Sequence, residues 1–253
     1  MEDHALQVET SRTARMGVLL FGLAVYAVFG ATTVVAIAFT ARAIHPQVAS
    51  SGATTFAFDL GLFALFGLQH SIMAREEFKQ WWSRTIPEAI QRSIYVLLAS
   101  LLLLIMFWQW RAVDTTAWHV TGFPRLLLWA VFGIGWVTVI YSTFLIDHFD
   151  LVGLRQTWNF FRDEKPESID FRTPMLYRLV RHPMMVGFVL LFWANPTMTL
   201  DMVVLAVAIT VYILIGLRFE EKDLLRWYGQ QYHAYRRRTP MLIPFPLRLP
   251  RRD

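Results

Sequence analysis

Long apolar runs separated by short polar clusters dominate this chain. A membrane-spanning helix needs about 20 mostly apolar residues, because each residue rises about 1.5 Å through a hydrocarbon core about 30 Å thick. Residues 16–40, 54–73, 93–110 and 126–146 meet or nearly meet that length, each flanked by Arg, Pro or Asp. The first run is too long for a cleaved signal peptide and lacks a clear small-residue cleavage site.

Two shorter apolar runs, 184–197 and 202–217, are separated by Asn195, Pro196 and Asp201. Asn-Pro is a turn signal, and an aspartate at a helix start can cap the first amides, so these runs predict a tight helical hairpin. Tilt or burial behind neighbouring helices would accommodate their shortness. The pattern as a whole predicts an all-α, polytopic integral membrane protein. It has about six spanning segments, or five if one run does not cross, in one membrane domain over 1–253. Residues 157–176 form a polar connection, and four prolines between Pro240 and Pro250 predict an extended tail.

Charge then orients the bundle. With six crossings, segments 1–15, 74–92, 147–183 and 218–253 share one side and carry 21 of the 24 Lys and Arg, leaving Arg42, Arg111 and Arg125 opposite. The positive-inside rule places both termini in the cytoplasm and the protein in the inner, cytoplasmic membrane. Composition agrees, with 55% hydrophobic and 17% charged residues, against about 25% charged in soluble domains. The net charge of +5 therefore points to orientation and anionic lipid, not nucleic acid, for which no motif is present. Arg236, Arg237 and Arg238 fit that topological role, and Trp81, Trp82, Trp108, Trp110, Trp118 and Trp129 suggest an interfacial aromatic belt. The chain has no Cys, which excludes disulfides, thiolate metal sites and a cysteine nucleophile. No convincing metal motif is present.

This topology gathers chemistry at one face. His70, His148 and His182 lie near cytoplasmic helix ends, at the level of Asp147, Asp150, Arg155, Gln156, Arg181, Glu220 and Glu221. The run from Tyr177 to Arg181, His182 and Pro183, followed by Gly187, opens one hairpin arm, and Glu220 and Glu221 close the other. Pro183 suits a first helical turn, where unpaired amides can bind an anionic or carboxylate group. Arg181 and His182 would add donors, and Glu220 or Glu221 would accept from hydroxyls or an ammonium. Read alone, each piece is better explained as an interfacial helix start with solvated charges.

Taken together, Arg-His-Pro, a helical hairpin, Glu-Glu and the Tyr-rich stretch Tyr228 to Tyr235 resemble the isoprenylcysteine carboxyl methyltransferase and phospholipid methyltransferase superfamily of membrane enzymes. The resemblance covers about 177–240. It implies an S-adenosylmethionine site within 147–240, with contacts from Tyr177, Arg181, His182, Pro183, Gly187, Glu220 and Glu221. Membrane sterol reductases use a similar architecture for NADPH, so fold alone leaves the cofactor open. Upstream, Leu68 to Arg75 and His148 to Gln156 look like the bacterial methanethiol S-methyltransferase group, which extends the resemblance to about 60–240. It implies methylation of a small thiol, most simply methanethiol to dimethyl sulfide, in a small apolar pocket lined by the second and fourth spans.

A thiol must lose its proton to become a good nucleophile, so a base is expected. His70, inside an apolar helix end, leads His148, with Asp147 or Asp150 as orienting carboxylates or alternative bases. Alternatively, His70 is an interfacial histidine satisfied by Gln69, Ser71 or a carbonyl. Arg155 and Gln156 are candidates to place the sulfonium or to hold the cofactor carboxylate. Competing readings are a methyltransferase for a prenylcysteine, a phospholipid or another thiol, and a membrane haem-binding or interaction protein that uses His70, His148 and His182.

Overall fold

A computed structural model describes residues 11–44, 52–165 and 171–244. The N-terminal ten residues, the tip of the first connection, the middle of the polar connection and most of the proline-rich tail lie outside the described residues. Five helices are long and apolar enough to cross a membrane: α1 (Arg12–Thr40), α2 (Ala53–Met73), α4 (Glu88–Gln109), α5 (Gly122–Ile146) and α10 (Leu200–Arg238). Short helices α3 (Glu76–Trp82), α6 (His148–Leu151), α7 (Leu154–Arg162) and α8 (Leu176–Leu179) run between them, and α9 (Pro183–Trp193) is the first arm of the expected hairpin. Two short strands, β1 (Thr116–His119) and β2 (Thr197–Thr199), pair antiparallel.

The bundle is apolar on its outside. Leu20, Val34, Leu65, Leu68, Leu126, Ile134, Val137, Phe144, Val211 and Ile215 are all exposed, as lipid-facing side chains must be when the surrounding solvent is hydrocarbon. Helices then associate by close packing more than by hydrophobic exclusion, which favours small residues at contacts. At the α5–α9 contact, a Cβ on Gly187 would lie 2.7 Å from the carbonyl oxygen of Gly135. Leu191, Phe132, Val139 and Ala194 fill in around that crossing.

The hairpin differs from expectation in its first arm. The helix ends at Trp193, not at 197, because Pro196 has no amide to donate and disfavours helical geometry at Asn195. Eleven helical residues reach only about 16 Å, roughly half the hydrocarbon thickness. Trp193 Nε1 donates to Thr210 Oγ1 in the second arm, and the rest of the climb is made by non-helical chain. Exposed backbone polar groups are costly in hydrocarbon, so this stretch must be satisfied by protein. Val120 N donates to Pro196 O and Leu200 N to Thr115 O, Trp118 Nε1 donates to Asn195 O, and Asn195 Nδ2 donates to Thr40 O at the end of α1.

Two further expectations are corrected here. Asp201 does not cap its helix, which has no side-chain cap. It is fully buried and accepts from Trp110 Nε1 at 3.0 Å and Val113 N at 3.4 Å, with Arg42 at 3.8 Å. Trp110 accordingly leaves the aromatic belt and joins the core with Phe39, Phe107, Met198, Met202 and Leu205. The helix of Asp201, α10, continues well past the apolar run to Arg238. It kinks at Gly229, whose φ of 50° and ψ of −121° suit only glycine. Three arginines in its last turn complement the helix dipole.

Candidate active site

The ends of α2, α4, α5, α9 and α10 on one side of the bundle carry nearly all the candidate residues, in three groups. The first is built by the hairpin. His182 precedes Pro183 at the first helical position of α9, as the sequence suggests, while Glu220 and Glu221 lie on α10, so the antiparallel arms bring them together. Glu221 is the hub. Its Oε1 accepts from Arg181 Nε at 2.6 Å, His182 Nε2 at 3.1 Å and Tyr232 Oη at 2.9 Å, and its Oε2 lies 3.3 Å from Arg236 Nε.

Arg181 is spent on the protein itself. Its Nη1 donates to the carbonyls of Thr239 and Arg236, and its side chain is only 8% exposed. The tail reinforces this: Arg181 N donates to Pro240 O and His182 N to Met241 O, and Tyr235 Oη donates to Tyr177 O. Phe171 packs against Tyr228, Tyr232 and Tyr235. The helix-start anion site expected at Pro183 is largely closed, because the amides of Met185 and Val186 both turn to His182 O.

Glu220 behaves differently from its neighbour. Its side chain is 48% exposed, and its Oε2 lies 3.6 Å from His182 Nδ1. Burial, reinforced by the Glu220 charge, pushes the Tyr177 phenol up to about 12, so Tyr177 remains a proton donor at neutral pH. Gly187 faces α5 at the close contact with Gly135, away from this group.

The second group is the elbow of α6 and α7. Asp147 caps α6 by accepting from Asp150 N, and its Oδ2 pairs with Arg155 at 2.6 Å. Asp150 Oδ1 accepts from Gln156 Nε2 at 3.0 Å, while Gln156 Oε1 is buried without a partner. Burial holds the Asp150 carboxyl above the ordinary aspartate range, opposed by Arg92. His148 is buried among Tyr26, Phe29 and Phe149 and stacks on Phe144 with centroids 4.1 Å apart. Both its nitrogens are occupied. Thr143 Oγ1 gives its proton to Ile140 O and so accepts from His148 Nδ1, leaving Nε2 to accept from Tyr26. Burial pushes this imidazole below the ordinary histidine value against the opposing charge of Asp147.

The third group is His70. Gln69 and Ser71 do not satisfy it: Gln69 Nε2 turns to Met73 Sδ and Ser71 bonds to Tyr212. Its partner is Tyr95 on α4, whose hydroxyl lies 2.9 Å from Nδ1 and 3.0 Å from Nε2. Arg92, one turn away, joins the second and third groups through Leu151 O at 2.8 Å. The expected pocket wall of second and fourth spans is not formed by those two helices packing together, since α2 packs on α4 and α10 while α5 packs on α9. An open groove of about 460 Å3 instead lies at the α2–α3 elbow, lined by Ser71, Ile72, Arg75, Glu77, Phe78 and Trp81. Among the described residues no group of three or more His, Asp or Glu is arranged to hold a metal.

A polytopic helical membrane protein with a buried Arg-His-Glu cluster across a C-terminal hairpin is the class these features define. The NnrU protein family matches residues 58–245. The chain is 46% identical to methanethiol S-methyltransferase 2 of Bradyrhizobium diazoefficiens, over 91% of both chains. It is 43% identical to methanethiol S-methyltransferase of Crocosphaera subtropica, over 94% of this chain and 96% of that one. A more distant relative is nurim of Sus scrofa, at 31% identity over 66% of this chain and 67% of that one. The chain therefore belongs to the NnrU protein family and is a relative of these methanethiol S-methyltransferases. No solved structure matches it.

Proposed function

We propose that this protein is an S-adenosylmethionine-dependent S-methyltransferase that converts methanethiol to dimethyl sulfide at the cytoplasmic face of the inner membrane. The observation that carries the reading is near-full-length similarity to an enzyme of that name, at 46% identity over 91% of both chains.

The residues present fit the cofactor. S-adenosylmethionine brings ammonium and ribose hydroxyl donors, and the chain offers acceptors for them. Glu220 is half exposed, and Gln156 Oε1 is buried and unpaired. Glu220, His182 Nδ1 and Tyr177 are the groups we assign to direct contact, with Gln156 as a further acceptor. Arg181 and Glu221 hold that surface in place, since their own hydrogen bonds are turned inward. When bound, the cofactor supplies an electrophilic methyl carbon on a sulfonium.

The chain must then align the thiol, exclude water and accept its proton. His148 has no free nitrogen, and His182 faces Glu220 and Glu221, which leaves His70 as the histidine we assign as base. An apolar thiol and thioether can reach this depth through lipid. The test is to incubate purified protein in lipid with S-adenosylmethionine and methanethiol and to measure dimethyl sulfide in the headspace by gas chromatography. Product above the no-enzyme control is expected. None, with cofactor binding intact, would move the acceptor to a larger thiol, a prenylcysteine or a phospholipid.

A further inference from the structure

We propose that Tyr95 is the positioning residue for His70, and that Arg92 anchors this pair to the α6 elbow. The inference rests on the reading of the protein as a thiol methyltransferase and adds two residues that no sequence motif singled out. A neutral imidazole has one N–H and one lone pair. The Tyr95 hydroxyl lies within 3.0 Å of both ring nitrogens, and its oxygen can accept from the one that bears hydrogen. With Tyr95 on that N–H, the lone pair of the other nitrogen is left to take a proton.

The surroundings restrict that choice. Phe66 and Tyr95 contact the imidazole ring, with centroids 5.3 and 5.2 Å away. The polar neighbours on either side in sequence are engaged elsewhere, Gln69 with Met73 and Ser71 with Tyr212. Tyr212 in turn donates to Gly67 O, so the Ser71 proton is committed to Tyr212. Tyr95 is held from α4: the Arg92 guanidinium lies 5.2 Å from its ring centroid, and Arg92 Nε donates to Leu151 O at 2.8 Å. The geometry thus runs from the α6 elbow through Arg92 and Tyr95 to one fixed imidazole face.

In the reaction, the free His70 nitrogen takes the thiol proton. The thiolate sulfur forms the new bond to the methyl carbon as the bond from that carbon to the donor's sulfonium breaks. The bonding pair stays on the donor sulfur, and the imidazolium later gives its proton to water. Tyr95 exchanges no proton in this step; it fixes which His70 nitrogen carries the lone pair.

The experiment compares wild type with Tyr95→Phe, His70→Ala and the double variant. Tyr95→Phe is expected to lower kcat by about tenfold to a hundredfold and to move the pH–rate profile, with S-adenosylmethionine affinity unchanged. The double variant should be no slower than His70→Ala alone, because Tyr95 acts only through His70. Multiplying losses, or a Tyr95→Phe rate equal to wild type, would overturn the proposal. Nitrogen-15 NMR of the His70 ring, assigned by difference from His70→Ala, tests the positioning without any acceptor. One fixed tautomer in wild type and a mixture in Tyr95→Phe are expected, and identical spectra would overturn it. That readout stands even where wild type yields no dimethyl sulfide, an outcome that would instead count against the proposed function.

Discussion

His182 Nε2 stands 3.1 Å from Glu221 Oε1 across the two arms of the hairpin, and the same carboxylate oxygen receives Arg181 and Tyr232. A carboxylate has about four lone-pair sites, so Glu221 is nearly saturated by its own protein. Its neighbour Glu220 is half exposed, so under the proposed function the adjacent glutamates divide between holding the site and meeting a ligand.

Glu221→Ala should destabilise the protein by about 3–5 kcal/mol, because it strands the buried Arg181 guanidinium. Cofactor binding should fall with it. Thermal unfolding in detergent, read beside cofactor titration calorimetry, checks both effects.

Glu220→Ala should leave the unfolding temperature near wild type while weakening S-adenosylmethionine about tenfold or more, the loss of a hydrogen bond to a charged group. Unchanged affinity would remove Glu220 from the cofactor contacts.

Gly187→Ala should cost about 1–3 kcal/mol by overpacking, since its new methyl would meet Gly135 O at 2.7 Å. Unfolding midpoints measure the cost. A weakened cofactor with full stability would instead make Gly187 a ligand contact.

Asp150 gives a pH dependence. Its folded-state pKa lies above the ordinary value through burial, so the native state holds this proton more tightly than the unfolded chain does. Its contribution to stability is greatest below the ordinary aspartate range and is lost as pH rises through the folded value. Asp150→Asn keeps an acceptor for Gln156 and removes the titration. The variant's stability relative to wild type should therefore increase as pH rises from about 4, followed by unfolding across a pH series.

The helices were legible in the sequence because hydrocarbon imposes its own length: 54–73 was expected and α2 spans Ala53–Met73. The depth of the first hairpin arm was less legible: the Asn195-Pro196 turn signal marks the hairpin, but the apolar run carried to 197 overshoots the helix end at Trp193. The Arg181, His182 and Glu221 cluster followed from hairpin geometry. Its inward orientation did not, because the partners Tyr232, Arg236 and the carbonyls of Thr239 to Met241 lie far along the chain and most of them act through backbone. Tyr95 and Arg92 were hidden for a different reason: near the end of an apolar helix, a tyrosine and an arginine look the same whether they anchor the interface or hold a histidine. Nothing in the sequence reveals that Tyr26, far upstream, meets the second nitrogen of His148.

The hydrogen bonds from Arg181 and His182 to the chain beyond α10 set an order of events during biosynthesis. All five long helices and the short arm have been made before Pro240 and Met241 emerge from the ribosome. Until then the Arg-His turn lacks the backbone acceptors that hold it. A nascent chain stalled just short of Thr239 would hold every long helix yet lack the carbonyls that fix the Arg-His turn.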